Sequence, residues 1–288
     1  MAGGMMDDPR SLLRQLEQRA RRRFGQHFLT DVSVPRRMVK TARVEASDRV
    51  VEIGPGLGIL TGVLLETGAD VLAIEVDRDL AGFLRGAHPD LNLVEQDVLK
   101  VNWDELCPGE GWKVVANLPY NIGTTVLMRL LRRPRQFASV TVMLQLEVVQ
   151  RLFAEPGSKA YNALSLEAQV RGKPYWVSKL GPDAFFPPPK VSSAVVRFEL
   201  YDTPKVGDVP PAYFDRVVRA AFSQRRKNIV NSLGSVFGKD RVRAIVTSMG
   251  VNPSARAEQL DVELFRAFAL ALHREEQAVK DSQDTSET

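Results

Sequence analysis

The stretch of this chain best equipped for chemistry is Asn117-Leu118-Pro119-Tyr120, at the end of the apolar run WKVVA. The Asn117 side-chain oxygen and the Leu118 backbone carbonyl are hydrogen-bond acceptors. Pro119 stiffens the turn and biases Leu118 towards an extended conformation, so that its carbonyl can be aimed. Tyr120 supplies a flat face for stacking. Acceptors beside a stacking ring suit an amino group attached to an aromatic base, whose lone pair is delocalised into the ring. Accepting hydrogen bonds from its hydrogens favours a pyramidal, more nucleophilic nitrogen. Attack on an already activated carbon then needs no strong base or metal, and positioning carries much of the rate. A second ring comes from Phe185-Phe186-Pro187-Pro188-Pro189-Lys190-Val191. Its prolines pre-order an extended backbone, and Phe185 is expected to close the far side of the base, opposite Tyr120.

The carbon donor needs its own site, and three further positions suggest one. Gly54-Pro55-Gly56-Leu57-Gly58 lies between an apolar run and a helical pattern, where glycines allow a tight turn and close approach of backbone to a ligand. The dinucleotide fingerprint would need glycine at position 59, which is Ile59, so a nicotinamide or flavin reading is weakened. Glu75 ends the next apolar run, and a carboxylate there can take both hydroxyls of an adenosine ribose. Gln96-Asp97 ends the third, where Asp97 can accept a hydrogen bond from an adenine amine. Glycine turn and two acids at successive strand ends place one ligand across a sheet edge. This looks like the S-adenosylmethionine methyltransferase fold.

The elements that must hold these residues are legible from periodicity. DRVVEIGPG, DVLAIEVD, LNLVEQDVL, WKVVANLPY and SVTVMLQL read as strands, with helical patterns between them. Such alternation argues for an open parallel sheet with helices on both faces. PYWVSKLGP and SSAVVRFEL look like strands without helical crossovers and suit an antiparallel edge. The Pro- and Gly-punctuated stretch Asp202–Pro211 reads as a linker, and only helical patterns follow it. The expected fold class is α/β: a Rossmann-like sheet with an antiparallel edge, plus a small C-terminal all-α domain. Its expected divisions are a basic N-terminal arm over 1–23, a catalytic domain over 24–203, a small helical RNA-binding domain over 204–276 and a disordered polar tail over 277–288.

Composition narrows the setting. The 288 residues are 44% hydrophobic and 26% charged, an ordinary globular balance. No run of 18 apolar residues is present to span a membrane. The start MAGGMMDDPR lacks the apolar core of a secretory signal, and Asp7, Asp8 and Glu17 speak against a transit peptide, so a cytoplasmic location is expected. Cys107 stands alone and His27, His88 and His273 are scattered, which excludes an internal disulfide and gives no zinc spacing; no metal is expected. No unexplained apolar surface argues for more than a monomer. The net charge is +4 and the pI about 9.2, but the cations cluster. One group is Arg19, Arg21, Arg22 and Arg23, a second Arg129, Arg132, Arg133 and Arg135, a third Arg225, Arg226 and Lys227. A single charge run is usually a solvated helix face. Three groups around a methyl-transfer site point to phosphate contacts with a nucleic acid.

In RRRFGQHFLTD, VEIGPGLGILT, IEVDRDL, QDVL, NLPYNI, LQLEVVQRL with GSKAYNALS, FFPPPKVSSAVVRF and AFSQRRKNIVNSL, the chain resembles the ribosomal RNA adenine N6-dimethyltransferases, in order from Arg21 to Leu233. The resemblance implies that Gly54, Gly56, Glu75, Asp97 and Asn117 contact S-adenosylmethionine, leaving S-adenosylhomocysteine as product, and that the backbone around His27 and Leu29 closes over it. It implies that Asn117, Tyr120 and Phe185 hold the target adenosine. The implied substrate is two adjacent adenosines in a hairpin near the 3′ end of the small-subunit (16S) RNA, within an assembling 30S particle. Each receives two methyl groups. The family often has asparagine where His27 stands and lysine where Leu146 stands. Rival readings are the large-subunit enzymes that confer macrolide resistance, the DNA adenine methyltransferases, which usually carry Asp-Pro-Pro-Tyr, and a ribosome-assembly or transcription factor that kept the fold without the activity. QRRKNIVNSL and GSKAY favour the small-subunit branch.

Overall fold

The computed structural model of the chain describes residues 27–224 and 226–284. The arm over 1–23, with Arg21, Arg22 and Arg23, lies outside the described residues, as do Arg225 and the last four positions. The described chain forms two compact units.

The first unit is built on a seven-stranded sheet. Its strands are β2 (Arg49–Ile53), β3 (Asp70–Glu75), β4 (Asn92–Glu95), β5 (Trp112–Asn117), β6 (Phe137–Gln145), β7 (Gly172–Leu180) and β9 (Ser193–Leu200). They lie in the order β4-β3-β2-β5-β6-β9-β7. The pairings among β2 to β6 are parallel, and β9 runs antiparallel to β6, from Ser139 opposite Glu199 to Gln145 opposite Ser193. Parallel strands are covered on both faces, which is why Val50, Val51, Val114, Val115 and Ala116 are continuous apolar residues with no exposed surface. The helices α1 (Ser33–Ala42), α2 (Ile59–Leu65), α3 (Arg78–Ala87), α4 (Trp103–Leu106) and α5 (Gly123–Leu131) fill the connections. Met38, Ala42, Leu60 and Leu64 join Val50, Val71, Val115 and Val195 in one core cluster.

From β2 the chain steps outward through β3 to β4, then returns to the other side of β2 as β5 and continues to β6. The strand order therefore reverses between β2 and β5. At such a switch point the connections leave in opposite directions and open a crevice beyond the carboxyl ends of the strands. Gly54 follows β2 and Asn117 ends β5, so both expected centres of chemistry flank that crevice. A separate two-stranded antiparallel sheet, β1 (Phe28–Leu29) with β8 (Phe185–Phe186), pairs Phe28 with Phe186 and Leu29 with Phe185.

The second unit departs from the expected division at 203/204. It comprises Gln150–Gly172 together with the chain from Thr203 onward. Helix α6 (Leu146–Leu152) leads the chain out of the sheet after β6, α7 (Ala163–Gln169) packs in the helical unit, and β7 brings the chain back. Tyr161, Leu166 and Val170 share a core with Phe214, Val217, Ile229, Leu233, Phe265 and Phe268. Arg171, fully buried, donates to the Glu167 carbonyl and to Asp215, both at 2.6 Å. The later helices are α8 (Pro211–Phe222), α9 (Ile229–Phe237), α10 (Lys239–Ser248) and α11 (Val262–Asp284). Before Pro211, which opens α8, the stretch read as a linker has no regular element, yet Val206 and Val209 anchor it in this core. The tail expected to be disordered from Gln277 is helical to Asp284, because the segment after Val262 holds strong helix formers and no proline or glycine. Among the described residues, no helix is long and apolar enough to cross a membrane.

Candidate active site

The switch-point crevice is an open cleft of about 1090 Å³, including the space at its mouth, and its walls come from five strand ends. His27, Phe28 and Leu29 form one wall, the Gly54–Leu57 turn the floor, and Glu75, Val76, Gln96 and Asp97 one end. Asn117, Leu118, Pro119 and Tyr120 form the other. Every expected cofactor position thus lines the same cleft.

The floor is shaped by backbone that only glycine adopts freely. Gly54, Gly56 and Gly58 have φ of 67°, 59° and 80°. A Cβ on Gly56 would also lie 3.1 Å from the Phe28 ring. Glu75 is 4% exposed and accepts backbone hydrogen bonds from Gly56 (3.2 Å), Val76 and Asp77 (both 2.9 Å). Burial raises its carboxyl above the ordinary value, and the three amides pull the other way. The carboxylate is thereby locked at the lip of β3. Asp97 is tied by its own turn, accepting from the Leu99 amide at 2.9 Å.

At the opposite end, the Leu118 amide donates to the Met143 carbonyl at 3.2 Å, and the Pro119 carbonyl accepts from Ile122 and Gly123. These bonds fix the turn to β6 and to the start of α5. The Asn117 amide nitrogen makes a long contact, 3.5 Å, with the His27 carbonyl. Facing its nitrogen to that carbonyl leaves the side-chain oxygen as an acceptor. His27 Nδ1 lies 2.7 Å from the Pro187 carbonyl. A carbonyl only accepts, so Nδ1 is the protonated nitrogen. The His27 and Tyr120 rings are 5.5 Å apart, tilted by 32°.

Phe185 does not take the place expected of it. It is 3% exposed, packs in the core with Leu29, Val34 and Met38, and does not line the cleft. Successive residues of a strand face opposite ways, so pairing of Phe185 with Leu29 turns Phe185 inward. Phe186 then packs with Phe28 over Leu57 and Leu80. The two phenylalanines hold down the strap that carries His27–Leu29.

One lining residue was missed in the sequence. Glu52, 1% exposed in the middle of VVEI, accepts from the Thr61 hydroxyl through Oε2 at 2.7 Å, while Oε1 is buried with no partner. Burial pushes its carboxyl up to about 8. An acid inside an apolar strand next to a glycine turn was the available signal. A cleft with one locked carboxylate and one orphaned carboxyl oxygen fits an adenosyl ligand that also brings an ammonium group. Among the described residues, no cluster of histidine, cysteine and acids could hold a metal ion.

Of the basic groups, the second is partly committed within the fold. Arg129 donates to the Leu99 carbonyl, and Arg133 pairs with Asp104 at 2.5 Å. Arg226 and Lys227 are exposed in the turn that leads to Asn228, whose side chain caps α9 by accepting from the Asn231 amide at 2.9 Å.

Fold and cleft together place the chain among the Rossmann-like methyltransferases. A dimethyladenosine transferase from Plasmodium falciparum superposes with a TM-score of 0.71 over 86% of this chain and 98% of its own, at 22% identity. The 23S rRNA methyltransferase ErmE does so with a TM-score of 0.65 at 26% identity, over 85% and 99%. Residues 17–273 match the family model described as Ribosomal RNA adenine dimethylase, and the chain belongs to that family. Among its relatives are proteins named Ribosomal RNA small subunit methyltransferase A. That of Syntrophotalea carbinolica is 41% identical over 256 residues, covering 88% of this chain and 97% of the relative. That of Bordetella bronchiseptica is 43% identical over 255 residues, covering 88% and 94%.

Proposed function

We propose that this enzyme uses S-adenosylmethionine to dimethylate N6 of two adjacent adenosines in the 3′-terminal hairpin of 16S ribosomal RNA, acting as a cytoplasmic monomer on an assembling 30S particle during ribosome biogenesis. The observation that carries this reading is the cleft itself, where the glycine turn with Glu75 and the Asn117–Tyr120 turn face one space.

Glu75 receives the ribose hydroxyls, and Asp97 receives the adenine amine. Gly54 and Gly56 let the ligand lie against the backbone, and the wall formed by His27, Phe28 and Leu29 covers it. The unpartnered Oε1 of Glu52 meets the ammonium of the methionyl end. The bound sulfonium supplies a methyl group already activated for displacement. Tyr120 stacks on the target base after it leaves its helix, as base-modifying enzymes require. The Asn117 oxygen and Leu118 carbonyl accept from the N6 hydrogens, which holds the nitrogen lone pair towards the methyl group. Those acceptors are fixed before the substrate arrives, and preorganised dipoles of this kind are worth about 10² to 10³ in rate each. Pro119 sets the aim of the Leu118 carbonyl.

Arg21, Arg22, Arg23, Arg225, Arg226 and Lys227 are proposed to engage RNA phosphates. Cations ahead of a helix N-terminus gain nothing from the helix dipole, so Arg226 and Lys227 suit an anion from outside. The test is Asn117→Ala: methyl transfer is lost while affinity for the RNA is mostly unchanged. Turnover equal to the parent enzyme contradicts the mechanism.

A further inference from the structure

Tyr120 carries the target base in the reading above, and its ring is useful only if its angle is fixed. The turn that holds it is braced through backbone bonds, but those stop at Gly123 and say nothing of the side chain. The phenol oxygen lies 2.5 Å from Ser193 Oγ. Ser193 has no exposed surface, begins β9 and sits opposite Gln145 at the end of β6. The bond from the Leu146 amide to the Ser192 carbonyl, 2.9 Å, continues that pairing one step further. Ser193 is therefore mounted on the sheet, not on a loop. The Tyr120 ring is bounded on another side by His27, which is itself held by the Pro187 carbonyl.

We propose that Ser193 is a positioning residue for methyl transfer: its hydroxyl pins the Tyr120 phenol, and so sets the plane on which the target adenine stacks. The inference rests on the proposed reading of the cleft. Without the Ser193 hydroxyl, a half-buried phenol loses its partner, and the ring gains by swinging towards water. A base stacked on a loosely held ring keeps most of its binding but reaches the in-line geometry less often, and reach matters more than affinity for transfer. The effect falls hardest on the second methyl group, because a monomethylated N6 must be re-presented with one hydrogen left to hold.

The experiment compares the full chain with Ser193→Ala, Tyr120→Phe and the double variant, on small subunits lacking the modification. Mono- and dimethyladenosine are counted by mass spectrometry. Ser193→Ala is expected to lower kcat about tenfold, the worth of one such hydrogen bond. KM for the subunits stays within about twofold, and the share of monomethyladenosine rises. In the Tyr120→Phe background, Ser193→Ala adds less than about twofold, since the bond is already absent. S-adenosylhomocysteine affinity is unchanged. If Ser193→Ala melts lower, Tyr120→Phe removes the same bond from the other side and must show the same kcat loss and product shift. A Ser193→Ala enzyme equal to the parent, or a loss that multiplies in full in the Tyr120→Phe background, overturns the inference alone. No transfer by the parent chain overturns the reading of the cleft and this inference with it.

Discussion

Removing the charge-bearing oxygen of Glu52 has a consequence that can be worked out from its surroundings. Its carboxyl is 1% exposed and pushed up from 4.5 to about 8, first by burial, against the Thr61 hydrogen bond and with added repulsion from Glu75. Between those two values the folded chain keeps a proton that the unfolded chain has released. The contribution of Glu52 to the stability of the ligand-free protein therefore falls as pH rises through that window, by about 1.4 kcal/mol per unit. Glu52→Gln keeps the shape and the acceptor for Thr61 but cannot ionise. From about pH 5.5 to about pH 7.5 the variant should gain about 3 kcal/mol on the parent. Glu75 is raised by burial in both proteins, so most of its contribution drops out of the difference. Urea unfolding followed by tryptophan fluorescence at three pH values reads that difference directly. The same substitution should weaken S-adenosylhomocysteine, whose ammonium then meets an amide, and calorimetry should show proton release on binding only in the parent. A stability difference independent of pH would refute the placement of a buried, protonated carboxyl at Glu52.

Other consequences follow from single contacts. Asn117→Ala should lower methyl transfer at least about 100-fold with RNA affinity within about twofold, read by filter binding beside turnover. Asp215→Ala strands Arg171, whose side chain is 2% exposed and bonded to Asp215 at 2.6 Å; denaturant unfolding should show a loss of about 3–5 kcal/mol. Charge reversal at Arg226 and Lys227 should weaken RNA binding without changing S-adenosylhomocysteine affinity. It should also lower the slope of log affinity against log salt by about one to two.

The Asn117–Tyr120 turn was legible because its residues are contiguous and set both acceptors and a ring in four positions. Glu75 and Asp97 were legible because a parallel sheet lines up the ends of its strands, so acids at successive ends must converge. Glu52 was not, because an acid within an apolar strand fits neither face of the pattern until the Thr61 hydroxyl is seen against it. Phe185 was misplaced for the opposite reason. Adjacent identical residues leave the strand phase open, and only the pairing with Leu29 decides which ring faces inward. The helices between Leu146 and Gln169 were not singled out in the sequence, and periodicity alone cannot say which of two cores an apolar face joins. Tyr161, Leu166 and Val170 belong with residues some fifty to a hundred positions later, a long-range choice made by packing. Ser193 carries no sequence signal, since one serine in SSAVVRF looks like any strand residue.

The most direct measurement incubates the purified chain with labelled S-adenosylmethionine and small subunits that lack the modification, then digests the RNA and identifies its nucleosides by mass spectrometry. The account predicts N6,N6-dimethyladenosine at two adjacent positions in the 3′-terminal hairpin of the small-subunit RNA. Transfer to large-subunit RNA alone, or binding to small subunits with no transfer at all, would contradict it.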